Sequence, residues 1–293
     1  MKKAILPIVT ILICIAIYMC RNNIVASIYK FAYKDSLNYI GSNFSNDYEF
    51  EYLKKTDDFT PKNKEELIQI LYTIIDSNTT EFVIFCESEY KTCKQDAIDI
   101  LYDNVTLPAI NTFVHPYNSY QKISFSNTDY NIIVVNINKQ YSQDEINYIE
   151  DKLDSIIKEI IKDDMSSKDK LLTIHDYISD YTKYVDSDDY AKASALLLHR
   201  KARCSAYADL MAIYLSKMNI PNYRIASEKH IWNYLYIDNE WLHIDLTWDD
   251  PLLPNDKQII LHDFFLINTD KLKEFNTDSH FYDQNIYLEA NKN

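Results

Sequence analysis

His230-Ile231-Trp232-Asn233-Tyr234-Leu235-Tyr236-Ile237 runs into Asp238-Asn239 and returns as Glu240-Trp241-Leu242-His243-Ile244-Asp245-Leu246-Thr247-Trp248. Both arms are rich in aromatic and β-branched residues, and the second alternates cleanly, as two strands joined by a tight turn do. With Asp238 and Asn239 as the loop, Ile237 faces Glu240 and Trp232 faces Asp245. His230 then lies diagonal to Asp245 on the same face, about 7–8 Å away between backbones, a gap that two side chains can close with a hydrogen bond. A one-residue slip would put them on opposite faces. The other face would carry Ile231, Leu235, Ile237, Leu242, Ile244 and Leu246, an aliphatic layer. This register predicts one face for packing and one for chemistry, the latter turned toward Cys204.

Arg203-Cys204-Ser205-Ala206-Tyr207-Ala208-Asp209-Leu210 leads into an amphipathic helix. Tyr207, Leu210, Met211, Tyr214, Leu215 and Met218 form one apolar stripe, and Pro221 bounds it. Cys204 therefore stands at or just before a helix N-terminus. Unpaired N–H groups and the macrodipole favour a thiolate there. The same N–H groups could hold an oxyanion formed on a substrate. Cys204, His230 and Asp245 thus read as nucleophile, base and orienting carboxylate. Any one of them alone would read as a packing or turn residue; it is their compatible register that makes a site.

The stretch from about Asp169 to His280 resembles the bacterial transglutaminase-like superfamily, a papain-type thiol fold. Ile174-His175-Asp176-Tyr177-Ile178 with Tyr184 resembles the helix before the nucleophile, and Ala193-Ser194-Ala195-Leu196-Leu197 the segment leading into it. Arg203 through Ala208 resembles the nucleophile motif. His230-Ile231-Trp232-Asn233 and Ile244 through Pro251 resemble the His and Asp strands, and Phe264-Phe265-Leu266-Ile267 a later strand. The resemblance implies an α+β fold, with a nucleophile helix packed on an antiparallel sheet, and the roles already given to Cys204, His230 and Asp245. It does not fix the substrate, since such proteins include transglutaminases, proteases, deglycosylating enzymes and inactive scaffolds. Arg203 and Ala206 stand where the family commonly has glycine. The chain holds a single glycine, Gly41. Arg203 could favour the thiolate or point to solvent.

The remaining histidines are read as bystanders. His175 falls on the stripe Leu171, Ile174, His175, Ile178 and is expected in the core. His243 shares the predicted face with His230, opposite Tyr234, and is the rival for the base. His199, His262 and His280 have no periodic partner. No two His or Cys stand at zinc-ligand spacing, so neither metal nor cofactor is expected. Asp186-Ser187-Asp188-Asp189 lacks the glycine and distal glutamate of a calcium loop and reads as solvated.

Lys2 and Lys3 precede Ala4 through Cys20, a run without charge that Arg21 ends. A spanning helix needs about 17–25 apolar residues, so this run is just long enough. It also suits a signal-peptide core, but Val25-Ala26-Ser27 is a poor cleavage site, and Tyr18 and Met19 are too bulky to precede a lipidated Cys20. An uncleaved anchor is expected over residues 1–21. The positive-inside tendency then places the globular part outside the cytoplasm.

Forty-four Asp and Glu against 30 Lys and Arg give a net charge of −14, which argues against nucleic acid as a partner. Residues 22–60, irregular from Ser36 to Thr60, read as a tether. Residues 61–140 read as a small α/β module: helix Lys64–Ile75, strand Glu81–Cys86, helix Lys94–Tyr102, strands Gln121–Ser126 and Tyr130–Asn138. Cys86 and Cys93 could form a disulfide outside the cell. Residues 141–293 are expected, by the resemblance, to be the transglutaminase-like domain, opening with a helix from Gln143 to Lys162 and a second, capped at Ser166-Ser167, to about Lys183.

The expected function is an extracytoplasmic, membrane-anchored thiol enzyme that acts on amide bonds of a protein or peptide, cell-envelope material among the candidates. The acyl group would pass through a thioester to water or to an amine. The alternative is a transglutaminase-like binding or scaffold module without catalysis.

Overall fold

Good helix caps and alternating strands set most element boundaries in the computed structural model, which describes residues 2–32, 42–45, 48–127, 131–252 and 259–291. Part of the expected tether (residues 33–41 and 46–47) and Tyr130, at the start of a predicted strand, lie outside the described residues.

The N-terminal segment forms helix α1, Lys2–Ala32. Among the described residues, no helix is long and apolar enough to cross a membrane, so the spanning helix expected over residues 1–21 is not found as such. The helix itself has 31 residues; what falls short is its apolar stretch, which at about 1.5 Å per residue covers about 25 Å of a hydrocarbon core about 30 Å thick, the lower limit for a span. Arg21, Asn22 and Asn23 follow it directly.

Helix α2 (Lys64–Ile75) starts where the Asn63 side chain accepts from the Glu66 N–H. Strand β1 (Glu81–Phe85) follows, then α3 (Cys93–Tyr102), α4 (Thr106–Phe113), β2 (Tyr120–Asn127) and β3 (Ile132–Lys139). These strands make an antiparallel sheet ordered β1-β3-β2. Helix α4 was not expected. Pro108 falls in the helix's first turn, where a missing N–H costs nothing. Phe50 and Leu53 are fully buried in this layer, so the segment ahead of α2 is packed there rather than a free tether.

Capping boxes open both long helices, α5 (Gln143–Ile160) at Ser142/Glu145 and α6 (Ser167–Tyr181) at Ser166/Asp169. Strand β4 (Lys183–Tyr184), helix α7 (Ala193–His199) and strand β5 (Lys201–Ala202) lead to α8 (Cys204–Lys217). An antiparallel sheet follows in the order β6 (Asn222–Ala226), β7 (Ile231–Ile237), β8 (Glu240–Ile244), β9 (Phe265–Ile267). The four-residue helix α9 (Leu246–Asp249) follows β8, and α10 (Thr269–Glu274) follows β9.

The β7–β8 register pairs Ile237 with Glu240, Leu235 with Leu242 and Tyr234 with His243. Asp238 (φ 53°) and Asn239 (φ 67°) both take the left-handed region, the two-residue turn these residue types favour. Leu235, Ile237, Leu242 and Ile244 pack on helices α5 to α8 as an aliphatic core. The opposite face is not left for chemistry: Trp232, Tyr234 and Trp241 join a second, aromatic core with Phe113, Tyr223 and Tyr287. The reason is that α2 to α4 and the C-terminal segment cover that face. His230 stands immediately before β7 and Asp245 immediately after β8, so the polar groups meet at the end of the sheet.

Candidate active site

Cys204 is the first residue of α8, and Arg203 is its N-cap. The thiol is nearly buried, at 7% exposure. A helix begun at this residue leaves the N–H groups of Cys204 and Ser205 without an acceptor one turn back, aimed at whatever stands before the sulfur. Arg203 has φ −89° and ψ 165°, an ordinary extended conformation, so glycine is not required there. Its guanidinium pairs with Asp186 at 3.2 Å and with Asp188. Arg203 is thus turned to the exposed acidic loop, on the solvent side. Asp188 also walls a cleft of ≈ 490 Å³ with Asp189, Lys192, Tyr148 and Leu198.

The His230 imidazole is buried, with Nε2 2.6 Å from Asp245 Oδ2. Cys204 lies near enough to act on the ring electrostatically. With Nε2 committed to Asp245, Nδ1 is the nitrogen left for sulfur. Burial alone would push His230 down; the Asp245 charge and hydrogen bond, then the Cys204 hydrogen bond and charge, outweigh it and raise the pKa to about 10. Asp245 is fully buried, which by itself raises a carboxyl pKa. The His230 charge, its hydrogen bond and the His280 contact reverse that and hold Asp245 well below the usual carboxylate range.

Asp245 also caps α9, its Oδ1 accepting from the N–H groups of Thr247 at 3.0 Å and Trp248 at 3.3 Å. A second histidine, His280, brings Nε2 to 2.9 Å from Asp245 Oδ2. Its Nδ1 lies 2.6 Å from Thr277 Oγ1. Sequence reasoning set His280 aside because it follows no strand or helix period. It comes from a single 3₁₀ turn at Asp278–His280. A carboxylate only accepts, so both histidines present Nε2–H to it. The far side of the ring is matched as well: His280 Nδ1 accepts from the Thr277 hydroxyl. His230, Asp245 and His280 stand close enough to ligate a metal ion, but their hydrogen bonding closes without one.

His243, the rival for the base, faces elsewhere. Its Nδ1 accepts from Trp232 Nε1–H at 3.0 Å, and its Nε2 lies 3.1 Å from Thr269 Oγ1. Burial, with His280 nearby, lowers its pKa to about 3, so it is a neutral core histidine. Tyr184 is drawn beside the nucleophile by the parallel pairing of Tyr184 with Ala202. Burial and then the Cys204 charge raise its hydroxyl pKa. Helix α8 is held from behind by Asp209, which pairs with the Arg224 guanidinium and accepts from Tyr141 Oη at 2.6 Å. Arg224 also donates to the carbonyls of Asn111 and Val114.

Residues 154–246 match the Transglutaminase-like superfamily. That range takes in Cys204, His230 and Asp245 and stops before His280. Among solved structures, the chain is similar to a TGase at 15% identity and a TM-score of 0.35, covering 48% of this chain and 47% of that one. It is also similar to a candidate cysteine protease from Cytophaga hutchinsonii at 16% identity and a TM-score of 0.29, covering 48% of this chain and 65% of that one. The chain thus spans less than two thirds of either structure. No curated protein sequence matches. The reading of the site rests on its own geometry.

Proposed function

We propose that this chain is a thiol enzyme that cleaves amide bonds of a protein or peptide by acyl transfer, with Cys204 as nucleophile, His230 as acid and base, and Asp245 as orienting carboxylate. The observation that carries the reading is the buried His230 ring, bonded to Asp245 through Nε2 at 2.6 Å, with Cys204 near enough to add to the rise in the ring's pKa. The Cys204 thiolate attacks the amide carbonyl, and the N–H groups at the start of α8 hold the resulting oxyanion. The His230 imidazolium gives its proton to the leaving amine as the C–N bond breaks, leaving a thioester. Neutral His230 then takes a proton from water or from an incoming amine, which attacks the thioester and releases the thiol.

Iodoacetamide labelling at about pH 6 tests the reading, since an ordinary cysteine of pKa about 8.5 is almost wholly thiol there. Cys204 should be alkylated rapidly in the full chain, and His230→Gln should slow that reaction. Equal rates in the two proteins would sink the proposal. Hydroxylamine added during turnover of a peptide substrate should yield a hydroxamate, which Cys204→Ala abolishes.

The same reading places the protein outside the cytoplasm. Its support is the bond between Cys86 and Cys93, whose Cα atoms stand 5.8 Å apart. Helix α1 exposes Ile8, Ile11, Leu12, Ile15 and Met19, an apolar surface suited to contact with lipid.

A further inference from the structure

We propose that His175, Asp176 and His262 form a second site, separate from the thiol, that binds a divalent transition-metal cation of the zinc class. His175 and Asp176 are neighbours on α6, and His262 comes from the segment ahead of β9. His175 Nδ1 lies 2.9 Å from Asp176 Oδ1, and His262 Nε2 lies 2.8 Å from the same oxygen. Ligands on a tetrahedral Zn²⁺ with bonds of about 2.0–2.1 Å stand about 3.3 Å apart, so the three atoms need to open only slightly around the ion. Two imidazoles and one carboxylate are a donor set that zinc accepts, with the fourth position left to water. Asp176 and His262 are 41% and 46% exposed, which gives the ion an entry path, while His175 is fully buried and fixed.

A second observation independent of that cluster points the same way. The far nitrogen of His175, Nε2, lies 3.1 Å from Asp249 Oδ2, and both groups are fully buried. A histidine that ligates a metal through one nitrogen commonly donates its other N–H to a carboxylate, which sets tautomer and ring orientation. His175 has this arrangement. With Nε2 directed at Asp249, His175 Nδ1 is left facing the Asp176 carboxylate at 2.9 Å, the side from which His262 also approaches. In the cluster of His230, Asp245 and His280 the carboxylate already caps α9 and the far nitrogen of His280 is bonded to Thr277, which is why the site is assigned to His175 and not to the triad.

Asp249 is held in turn by the Phe264 N–H at 3.0 Å from Oδ1, and it ends the short helix that Asp245 caps. A cation at His175 would therefore tie α6 to the segment before β9 and brace α9 from the end opposite Asp245.

Co²⁺ is a suitable probe because its visible absorption reports tetrahedral nitrogen and oxygen ligation. Titrated into the full chain with its disulfide intact, it should bind at one equivalent with that absorption, and Zn²⁺ should displace it. His262→Ala, at an exposed position, should weaken binding at least about 10-fold, and Asp249→Asn should weaken it by about 10–100-fold. Cys204→Ala should leave binding unchanged. If wild type does not take up Co²⁺, the contact between His175 and Asp176 is occupied by a proton and the proposal fails. It fails equally if His262→Ala binds as tightly as wild type, or if Cys204→Ala abolishes the absorption while His262→Ala keeps it. Circular dichroism of His262→Ala in the absence of metal should match wild type, which separates lost ligation from lost folding.

Discussion

Asp245 accepts four hydrogen bonds, two from imidazoles on Oδ2 and two from the start of α9 on Oδ1. An asparagine there has one acceptor oxygen. If that oxygen keeps the cap of α9, the amide NH₂ faces two N–H donors, and both imidazoles must switch tautomer. His230 would then carry its proton on the side of the sulfur, the wrong place for a base. Asp245→Asn should therefore lower turnover by about 10⁴-fold, the cost of a wrong tautomer in a comparable triad, while melting near wild type. His243→Ala is the contrasting case. It removes the acceptor of the Trp232 N–H and should cost about 1–3 kcal/mol of stability, with iodoacetamide labelling of Cys204 unchanged. A labelling change in His243→Ala but not in His230→Gln would assign the base to the wrong histidine. The sign of the pH dependence follows from the raised His230 pKa. Burial lowers it, but Asp245 and Cys204 more than offset that, and the ring stays charged to about pH 10 when folded against about 6.5 when unfolded. Its contribution is whole below about pH 6.5 and is lost as pH rises through about 10. Asp245, held low, contributes above about pH 4 and loses that only in strong acid. Denaturation midpoints of wild type and His230→Gln should thus converge as pH is raised toward 10.

At the scale of elements, the placement of α8 decides where the thiol points, and a buried ion pair fixes it. Asp209 and Arg224 have side chains 2% and 5% exposed, with Tyr141 and the carbonyls of Asn111 and Val114 completing their bonds. Asp209→Ala leaves a guanidinium buried without its counter-charge and should destabilise the fold by about 3–5 kcal/mol, read as a shift in the urea midpoint. The strand pair that carries His230 and Asp245 was legible because its turn admits one solution: Asp and Asn tolerate the left-handed conformation, and a two-residue loop fixes every pairing after it. The start of α8 was legible for a similar local reason, an apolar stripe with a clear beginning. The ion pair was not, since Asp209 and Arg224 sit on separate elements and neither breaks its own pattern. His280 was missed on the same ground. It reaches Asp245 from 35 residues away on one 3₁₀ turn, where no periodicity exists to be read. Strand β6 and helix α4 were passed over too, the latter because Pro108 hides a helix start.

At the scale of the whole molecule, the β6–β9 sheet separates two cores, aliphatic against α5 to α8 and aromatic against α2 to α4. The aromatic core reaches from Phe50 to Ala290, so the first module and the end of the chain stabilise the same sheet face that ends at His230. The Cys86–Cys93 bond lies at the far edge of that core, between β1 and the first residue of α3. It closes a short loop, and its loss should cost about 2–3 kcal/mol by the chain-entropy relation. It is also the support for the proposed extracytoplasmic location, because such bonds persist in oxidising compartments. Cys204, by contrast, must stay a thiol for the proposed chemistry, and it is free and buried away from the pair. These two states are compatible in one molecule only if the compartment oxidises close pairs and leaves a lone thiol alone. Intact cells treated with acid and alkylated without reductant should therefore show Cys204 modified after denaturation and Cys86 and Cys93 protected. Protease added to the same cells should degrade the chain. Alkylation of all three cysteines, together with protection from protease, would place the protein in the cytoplasm and remove the support for an extracytoplasmic role, while leaving the Cys204 chemistry to stand on the labelling result alone.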